Sequence, residues 1–127
     1  MAAEPASAYA TAARRVIAAF APTDVLQRSF WLPEIRGGIS LRARTAIGFH
    51  LVDYVVHGWD VAAALGVQAD YPPDVVAAAL AIAEQVPDDA TRLAAGSAFQ
   101  PARPVPAGET PMRRMLLLLG RPPSWPS

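Results

Sequence analysis

The sequence contains no cysteine, so the chain can form neither a disulfide nor a thiol nucleophile of its own. Lysine and asparagine are also missing, and all 11 basic residues are arginine. Charged residues make up only 17% of the chain, and its formal net charge is +0. Because the arginines form no basic patch or basic and aromatic stripe, nucleic acid is not an expected partner.

Long apolar runs are missing as well, since none approaches the roughly 18 residues that a membrane-spanning helix needs. The N-terminus has no basic stretch, and Glu4 and Pro5 stand where the apolar part of a signal peptide would lie. We therefore expect a cytoplasmic protein without a membrane partner. A length of 127 residues predicts a single domain over residues 1–127.

Hydrophobic residues are abundant, at 53% of the chain, which is a high share for so short a protein. This composition favours a globular chain over a disordered one. Part of the apolar surface is expected to be buried against a second copy, so we predict a homodimer.

Four segments have the spacing of α-helices. The first runs from about Pro5 to Phe20, where alanine fills most of the gaps between larger apolar residues. The second begins at Ser40 as N-cap and continues to about Leu65, with Gly66 in the position that ends a helix.

The third helix begins at the double proline 72–73 and stops at Pro87. The last has Thr110 as N-cap, Pro111 at its first position and Gly120 at its end. No convincing strand is seen, so the pattern predicts an all-α protein with an up-down helical bundle. Two segments are predicted as loops, the first of them irregular and with a short extended piece: Arg28–Gly38 and 88–109.

Both histidines of the chain and two aspartates lie close together in the second predicted helix: His50, Asp53, His57 and Asp60. At about 100° per residue, all four fall in a stripe about 80° wide. Asp53 and His57 are four positions apart, so one helix offers a carboxylate oxygen and an imidazole nitrogen to the same point. That is the spacing at which one helix supplies two ligands to a divalent metal such as zinc.

The rest of this helix is apolar on nearly every side, which favours a buried helix whose polar stripe faces an interior cavity. The alternative is an amphipathic helix with a solvated stripe, extended by Arg42. Between positions 50 and 60 the sequence has no Lys, Glu or Gln, which favours the first interpretation. Without a metal, a His–Asp pair can still act as a general base and its orienting group.

Three strings of the sequence resemble the second part of a known family: FHLVDYVVHGWDVAAALG, YPPDVVAAALAIAEQVP and FQPARPVPAGETPMRRMLLLLGRPPSW. The family is that of the actinobacterial DinB-like four-helix-bundle proteins, which include mycothiol-dependent maleylpyruvate isomerase. The resemblance covers most of the chain, from about Ala8 to Trp125, and HLVDYVVHGWD is its most specific part.

The resemblance implies a bundle that holds a divalent metal, zinc or nickel, by three side chains. Two of these positions match Asp53 and His57, and His50 and Asp60 would hold the ligands in orientation. Relatives with known activity use the metal to handle a low-molecular-weight thiol, mycothiol, which suits a chain without cysteine.

In the family, a preceding helix supplies the third ligand, a histidine, so we expect this chain to be an N-terminally truncated member without it. Three possibilities stay open: the site is degenerate, a second chain contributes a group, or His50 substitutes. His50 lies two turns from His57, about 10 Å along the helix axis, which is too far for an easily shared ion.

We therefore expect an enzyme that isomerises a small molecule or transfers a thiol. The candidate catalytic residues are His57, Asp53 and His50, and the candidate metal ligands are Asp53 and His57. Two alternatives are a metal-free general acid/base enzyme of specialised metabolism and a non-catalytic dimer that binds a small molecule.

Overall fold

A computed structural model of the chain describes residues 4–33, 35 and 37–126. The protein is predominantly helical, as predicted, and it also contains a two-stranded sheet. The chain forms two compact units, Met1–Ile47 and Gly48–Ser127. No helix of the described residues is long and apolar enough to cross a membrane.

The first helix, α1, spans Pro5–Phe20, as its spacing predicts. Pro5 occupies the first turn, where its missing N–H costs nothing. The carboxylate of Glu4 accepts hydrogen bonds from the backbone N–H groups of Ala6 and Ser7, which the start of a helix leaves without a partner in the helix. No side chain of α1 is fully buried.

An antiparallel hairpin follows, formed by β1 (Ser29–Leu32) and β2 (Ile39–Arg42). Trp31 pairs with Ser40 on the exposed face, while the alternate residues of both strands are half-buried. Gly38 has a φ of +111°, and the Trp31 ring lies against it where any other residue would carry its Cβ atom.

The hairpin corrects two predictions and agrees with a third. The chain is not all-α, because it contains a sheet, and Ser40 is not the N-cap of the second helix, because it lies within β2. Arg28–Gly38 was predicted as an irregular loop with a short extended piece, and β1 is that piece. Each strand has only four residues, so an alternation of period two is too short to stand out in the sequence.

The second helix, α2, spans Ala43–Ala64. Gly66 ends it as predicted, with a φ of +70° that glycine adopts without steric cost. Two backbone hydrogen bonds close this end, from Gly66 to the Ala63 carbonyl and from Val67 to the Ala62 carbonyl. This is the Schellman arrangement, which satisfies carbonyls left over at the end of a helix.

The other two helices are α3, Pro73–Ala83, and α4, Pro111–Leu118. The start of α4 confirms the prediction, since the side chain of Thr110 accepts a hydrogen bond from the backbone of Arg113. The predicted end of α3 at Pro87 is wrong, because the chain turns away from the helix after Ala83.

The second unit has an apolar core, which side chains of α2, α3 and α4 form together. Alanines at two core positions of α3 leave room for larger side chains from the neighbouring helices. The buried members of this core are Val52, Val55, Val56, Ala79, Ala83, Met115 and Leu119.

The long connection between α3 and α4 is organised by Arg92, whose side chain is only 4% exposed. Its guanidinium donates hydrogen bonds to four backbone carbonyls, those of Val86, Pro87, Gln100 and Leu118, at 2.7 to 3.3 Å. Two of these carbonyls follow the end of α3 and one lies at the end of α4, where the carbonyls carry partial negative charge. The single cation therefore caps the end of α4 and fixes the segment after α3 and the loop that follows it.

We expect Arg92→Met to lower the free energy of unfolding by about 3 kcal/mol, because it leaves four part-buried carbonyls without the donor they share. Urea unfolding measures this loss. Arg15→Met is the matched control, since Arg15 is exposed on α1, and its effect should stay within about 0.5 kcal/mol. Equal effects of the two substitutions would contradict the capping role of Arg92.

Candidate functional site

The polar stripe of α2 lies on the side of the helix away from the apolar core. Val52, Val55 and Val56 occupy the core side, about a third of a turn away from the centre of the stripe. Asp53 is exposed, and the side chain of His57 is 61% exposed. The prediction that the stripe faces an interior cavity is therefore wrong for these two residues, and the solvated alternative describes them.

His57 is held in one orientation by Asp60, one turn further along α2. Its Nδ1 atom lies 3.0 Å from the Oδ2 atom of Asp60. An ionised carboxylate can only accept, so the Nδ1–H of His57 is the donor. In the neutral ring this leaves Nε2 as the acceptor, which is the tautomer that a general base or a metal ligand needs.

Asp60 is in turn fixed by Arg121, which follows α4. The guanidinium donates to both carboxylate oxygens of Asp60, from Nε and from Nη2, each at 2.9 Å. The side chain of Arg121 is only 17% exposed, and its guanidinium lies 5.9 Å from the centre of the Phe99 ring. Such a paired geometry fixes both the position and the plane of the carboxylate.

Gly120 allows this contact because it ends α4 with a φ of +80°, which confirms the predicted end of that helix. A side chain at this position would collide with the backbone of Gln100. The same C-terminal segment also approaches α2 through Trp125, whose ring centre lies 6.4 Å from that of Trp59. The segment after α4 is thus positioned along α2 by a polar and an aromatic contact.

The electrostatics of Asp60 follow from these contacts. Burial acts to raise the pKa of its carboxyl, but the hydrogen bonds from Arg121 and His57 and the charge of Arg121 outweigh burial. The pKa of Asp60 is therefore held below its ordinary value, and the residue stays ionised as the acceptor for His57.

His50 and Asp53, the other two predicted site residues, are not part of the series His57–Asp60–Arg121. The ring of His50 packs against that of Tyr54, with 4.5 Å between the ring centres, and His50 is half-buried. Asp53 has no hydrogen bond or ion pair with any residue of the described chain. The structure therefore brings His57 together with Asp60 and not with His50. The sequence analysis had given Asp60 only a supporting role.

The metal implied by the family resemblance needs three ligands. Among the described residues, no three His, Asp or Glu side chains lie close enough to hold an ion. Asp53 and the Nε2 atom of His57 supply two donors at most, so the residues of one chain do not fit the three-ligand site.

Arg121 is a residue of this site that sequence reasoning missed. It is 61 positions from Asp60, so no local spacing links the two. The only signal is that Arg121 is a lone charge directly after the apolar run of α4.

Tyr71 makes a further close contact with α2. Its hydroxyl donates to the Tyr54 carbonyl at 3.5 Å and lies over Gly58, where a Cβ atom would collide with it. Gly58 therefore allows Tyr71 to reach the helix backbone next to His57.

We expect the wild-type protein to lose more stability in acid than Asp60→Asn does. Because the pKa of Asp60 is lower in the folded than in the unfolded state, its contribution is present above the unfolded pKa and disappears as the pH falls through the folded pKa. Urea unfolding between about pH 7 and pH 2 measures the difference. Asp70→Asn, at an exposed position, should keep the wild-type dependence, and an unchanged dependence in Asp60→Asn would contradict the assignment.

We expect Gly58→Ala to lower the free energy of unfolding by about 1–3 kcal/mol, because the new methyl group displaces Tyr71. Helix propensity alone predicts the opposite sign, a gain of about 1 kcal/mol. Tyr71→Phe removes the colliding oxygen and should recover part of the loss in the double variant. A stabilised Gly58→Ala protein, measured by urea unfolding, would contradict the contact.

No protein-family model matches this chain, and neither a curated protein nor a solved structure matches it significantly. The DinB-like family therefore stays a prediction from the sequence strings, and the site is argued from its own residues.

Proposed function

We propose that this chain is a small-molecule enzyme of the isomerase class in which His57 removes and returns a proton. The observation that carries the proposal is the ordered series His57–Asp60–Arg121. In this series a half-buried arginine fixes a carboxylate, and the carboxylate fixes the tautomer and the ring plane of the histidine. This is the arrangement by which proteins orient a general base.

The proton would come from a carbon next to a carbonyl group. Nε2 of His57 accepts it, and the electron pair moves onto the carbonyl oxygen as an enolate conjugated with a neighbouring carbon–carbon double bond. Return of the proton to the far carbon of that double bond re-forms the carbonyl and completes the isomerisation. Asp60 stabilises the imidazolium that exists between the two steps. Because Asp60 stays ionised, it can do so without taking the proton itself.

A thiol proton is a second proton that the same nitrogen can take, which yields a thiolate. A low-molecular-weight thiol such as mycothiol enters the proposal in this way, as the resemblance implies. The chain has no cysteine that would compete with it. A cytoplasmic location belongs to the same proposal, because such thiols are kept reduced there.

The DinB-like, up-down bundle is part of the proposal as well. What supports it is the core shared by α2, α3 and α4. No step is assigned to a divalent metal, since one chain offers only two donors. Zinc, nickel and a chelator belong in the experiment as separate arms.

The test follows exchange of carbon-bound protons in a panel of small 2-oxo and 3-oxo acids in deuterated water by NMR. We expect wild-type protein to accelerate exchange for at least one member, and His57→Gln to slow it by about 10²–10⁴-fold. Parallel samples contain a low-molecular-weight thiol, zinc or nickel, or a chelator.

Two further variants make this experiment specific. Asp60→Asn should also slow exchange, because an amide no longer holds the correct tautomer of His57. Asp74→Asn, in the first turn of α3, is the matched control and should behave as wild type. Exchange that is equally fast in wild type and His57→Gln would overturn the proposal.

A further inference from the structure

The end of α4 is the point from which Arg121 reaches Asp60, and backbone hydrogen bonds hold this point in place. The backbone N–H of Arg121 donates to the Leu116 carbonyl at 2.8 Å, and that of Gly120 donates to the Leu117 carbonyl at 3.0 Å. This is again the Schellman arrangement, with Gly120 in the left-handed conformation. Arg121 therefore leaves the helix from a defined backbone position.

Arg103, from the loop before α4, adds two more hydrogen bonds to this helix end. Its Nε atom donates to the Gly120 carbonyl at 3.0 Å, and its backbone N–H donates to the Leu117 carbonyl at 2.9 Å. The bond to Gly120 is part-buried, although Arg103 as a whole is exposed. The last turn of α4 contains no basic residue, so Arg103 brings a cation to the partial negative charge of this helix end from outside the helix.

The Gly120 carbonyl is important because it belongs to the same peptide group as the N–H of Arg121. That peptide group is planar, so its carbonyl and its N–H turn together. Glycine restricts the rotation of a neighbouring peptide group less than any other residue does. Arg103 on the carbonyl side and the Leu116 carbonyl on the N–H side therefore fix a peptide group that Gly120 alone would leave free to rotate.

The sequence around Arg103 holds the donor in place. Pro101 has a fixed φ, and Arg103 directly precedes Pro104, which restricts its own backbone to extended conformations. The carbonyl of Gln100, at the start of this segment, accepts a hydrogen bond from Arg92 at 3.1 Å. The guanidinium of Arg103 therefore starts from a restricted backbone.

We propose that Arg103 is a positioning residue for His57, which it orients through the Gly120 peptide group, Arg121 and Asp60. The paired hydrogen bonds of Arg121 require its guanidinium to lie in the plane of the Asp60 carboxylate. Rotation of the Gly120 peptide group changes the direction in which Arg121 leaves the helix and moves the guanidinium out of that plane. The role in catalysis rests on the proposed function of His57, whereas the orientation of its ring does not.

The tautomer of His57 measures this orientation. Nitrogen NMR of protein that contains isotope-labelled histidine distinguishes Nδ1–H from Nε2–H, and His57→Gln identifies the signals of His57. We expect the neutral wild-type ring to carry its proton on Nδ1, and Arg103→Gln to shift the population towards Nε2–H, because a displaced Asp60 no longer accepts from Nδ1. A loss of stability alone leaves the tautomer of the folded protein unchanged, and urea unfolding identifies the folded variants.

Two further variants are the controls. Arg113→Gln removes an arginine from the opposite end of α4, where it pairs with Glu109, and should keep the wild-type tautomer. Arg103→Lys keeps a cationic donor for the Gly120 carbonyl and should recover most of the wild-type population. A wild-type tautomer in Arg103→Gln overturns the inference.

A double variant tests whether Arg103 acts through Arg121. We expect Arg103→Gln alone to slow the proton exchange reaction by about 10–100-fold. In a chain that already carries Arg121→Gln, the same substitution should change neither the rate nor the tautomer further, because the route to Asp60 is already broken. Additive effects of the two substitutions overturn the route through Arg121.

The outcomes separate this inference from the proposed function. Exchange that is unaffected by His57→Gln, together with a shifted tautomer in Arg103→Gln, refutes the function and keeps the positioning of the ring. Exchange that depends on His57, together with an unchanged tautomer and rate in Arg103→Gln, keeps the function and refutes the role of Arg103.

Discussion

The paired hydrogen bonds between Arg121 and Asp60 are the contact on which the site depends. They join α2 to the segment after α4 across 61 positions of sequence, and they fix the carboxylate that orients His57. Burial acts to raise the pKa of Asp60, and the hydrogen bonds and charge of Arg121, together with those of His57, lower it. Arg121 thus helps to keep Asp60 ionised as the acceptor for the Nδ1–H of His57.

Arginine has a second structural role in this chain, at Arg92. There the guanidinium binds carbonyls of the end of α4 and of the segment after α3, whereas at Arg121 it binds a carboxylate. Both uses depend on a planar group with several donors in fixed directions. A chain whose basic residues are all arginine has no other cation for these positions.

Much of the helical framework was predictable because its signals are local. The span of α1, the proline and threonine that start α4, and the glycines 66 and 120 each follow from the preferences of one or two residues. The hairpin and the early end of α3 were missed for a physical reason. Four-residue strands carry too little periodic signal. The turn after Ala83 is closed by backbone hydrogen bonds, such as that from Val86 to the Ala83 carbonyl, and no glycine or proline marks it in the sequence before Pro87.

The sequence by itself determined that α2 would carry His50, Asp53, His57 and Asp60 on one side, because helical spacing fixes which residues share a face. Tertiary structure decided that Asp53 and His57 are exposed and that His50 and Asp60 are half-buried, since the valines of α2 take the core position against α3 and α4. It also decided which aspartate serves His57. Asp53 has the better spacing for a shared ligand, but Asp60 is the residue that Arg121 reaches, and a contact between such distant positions exists only once the chain has folded.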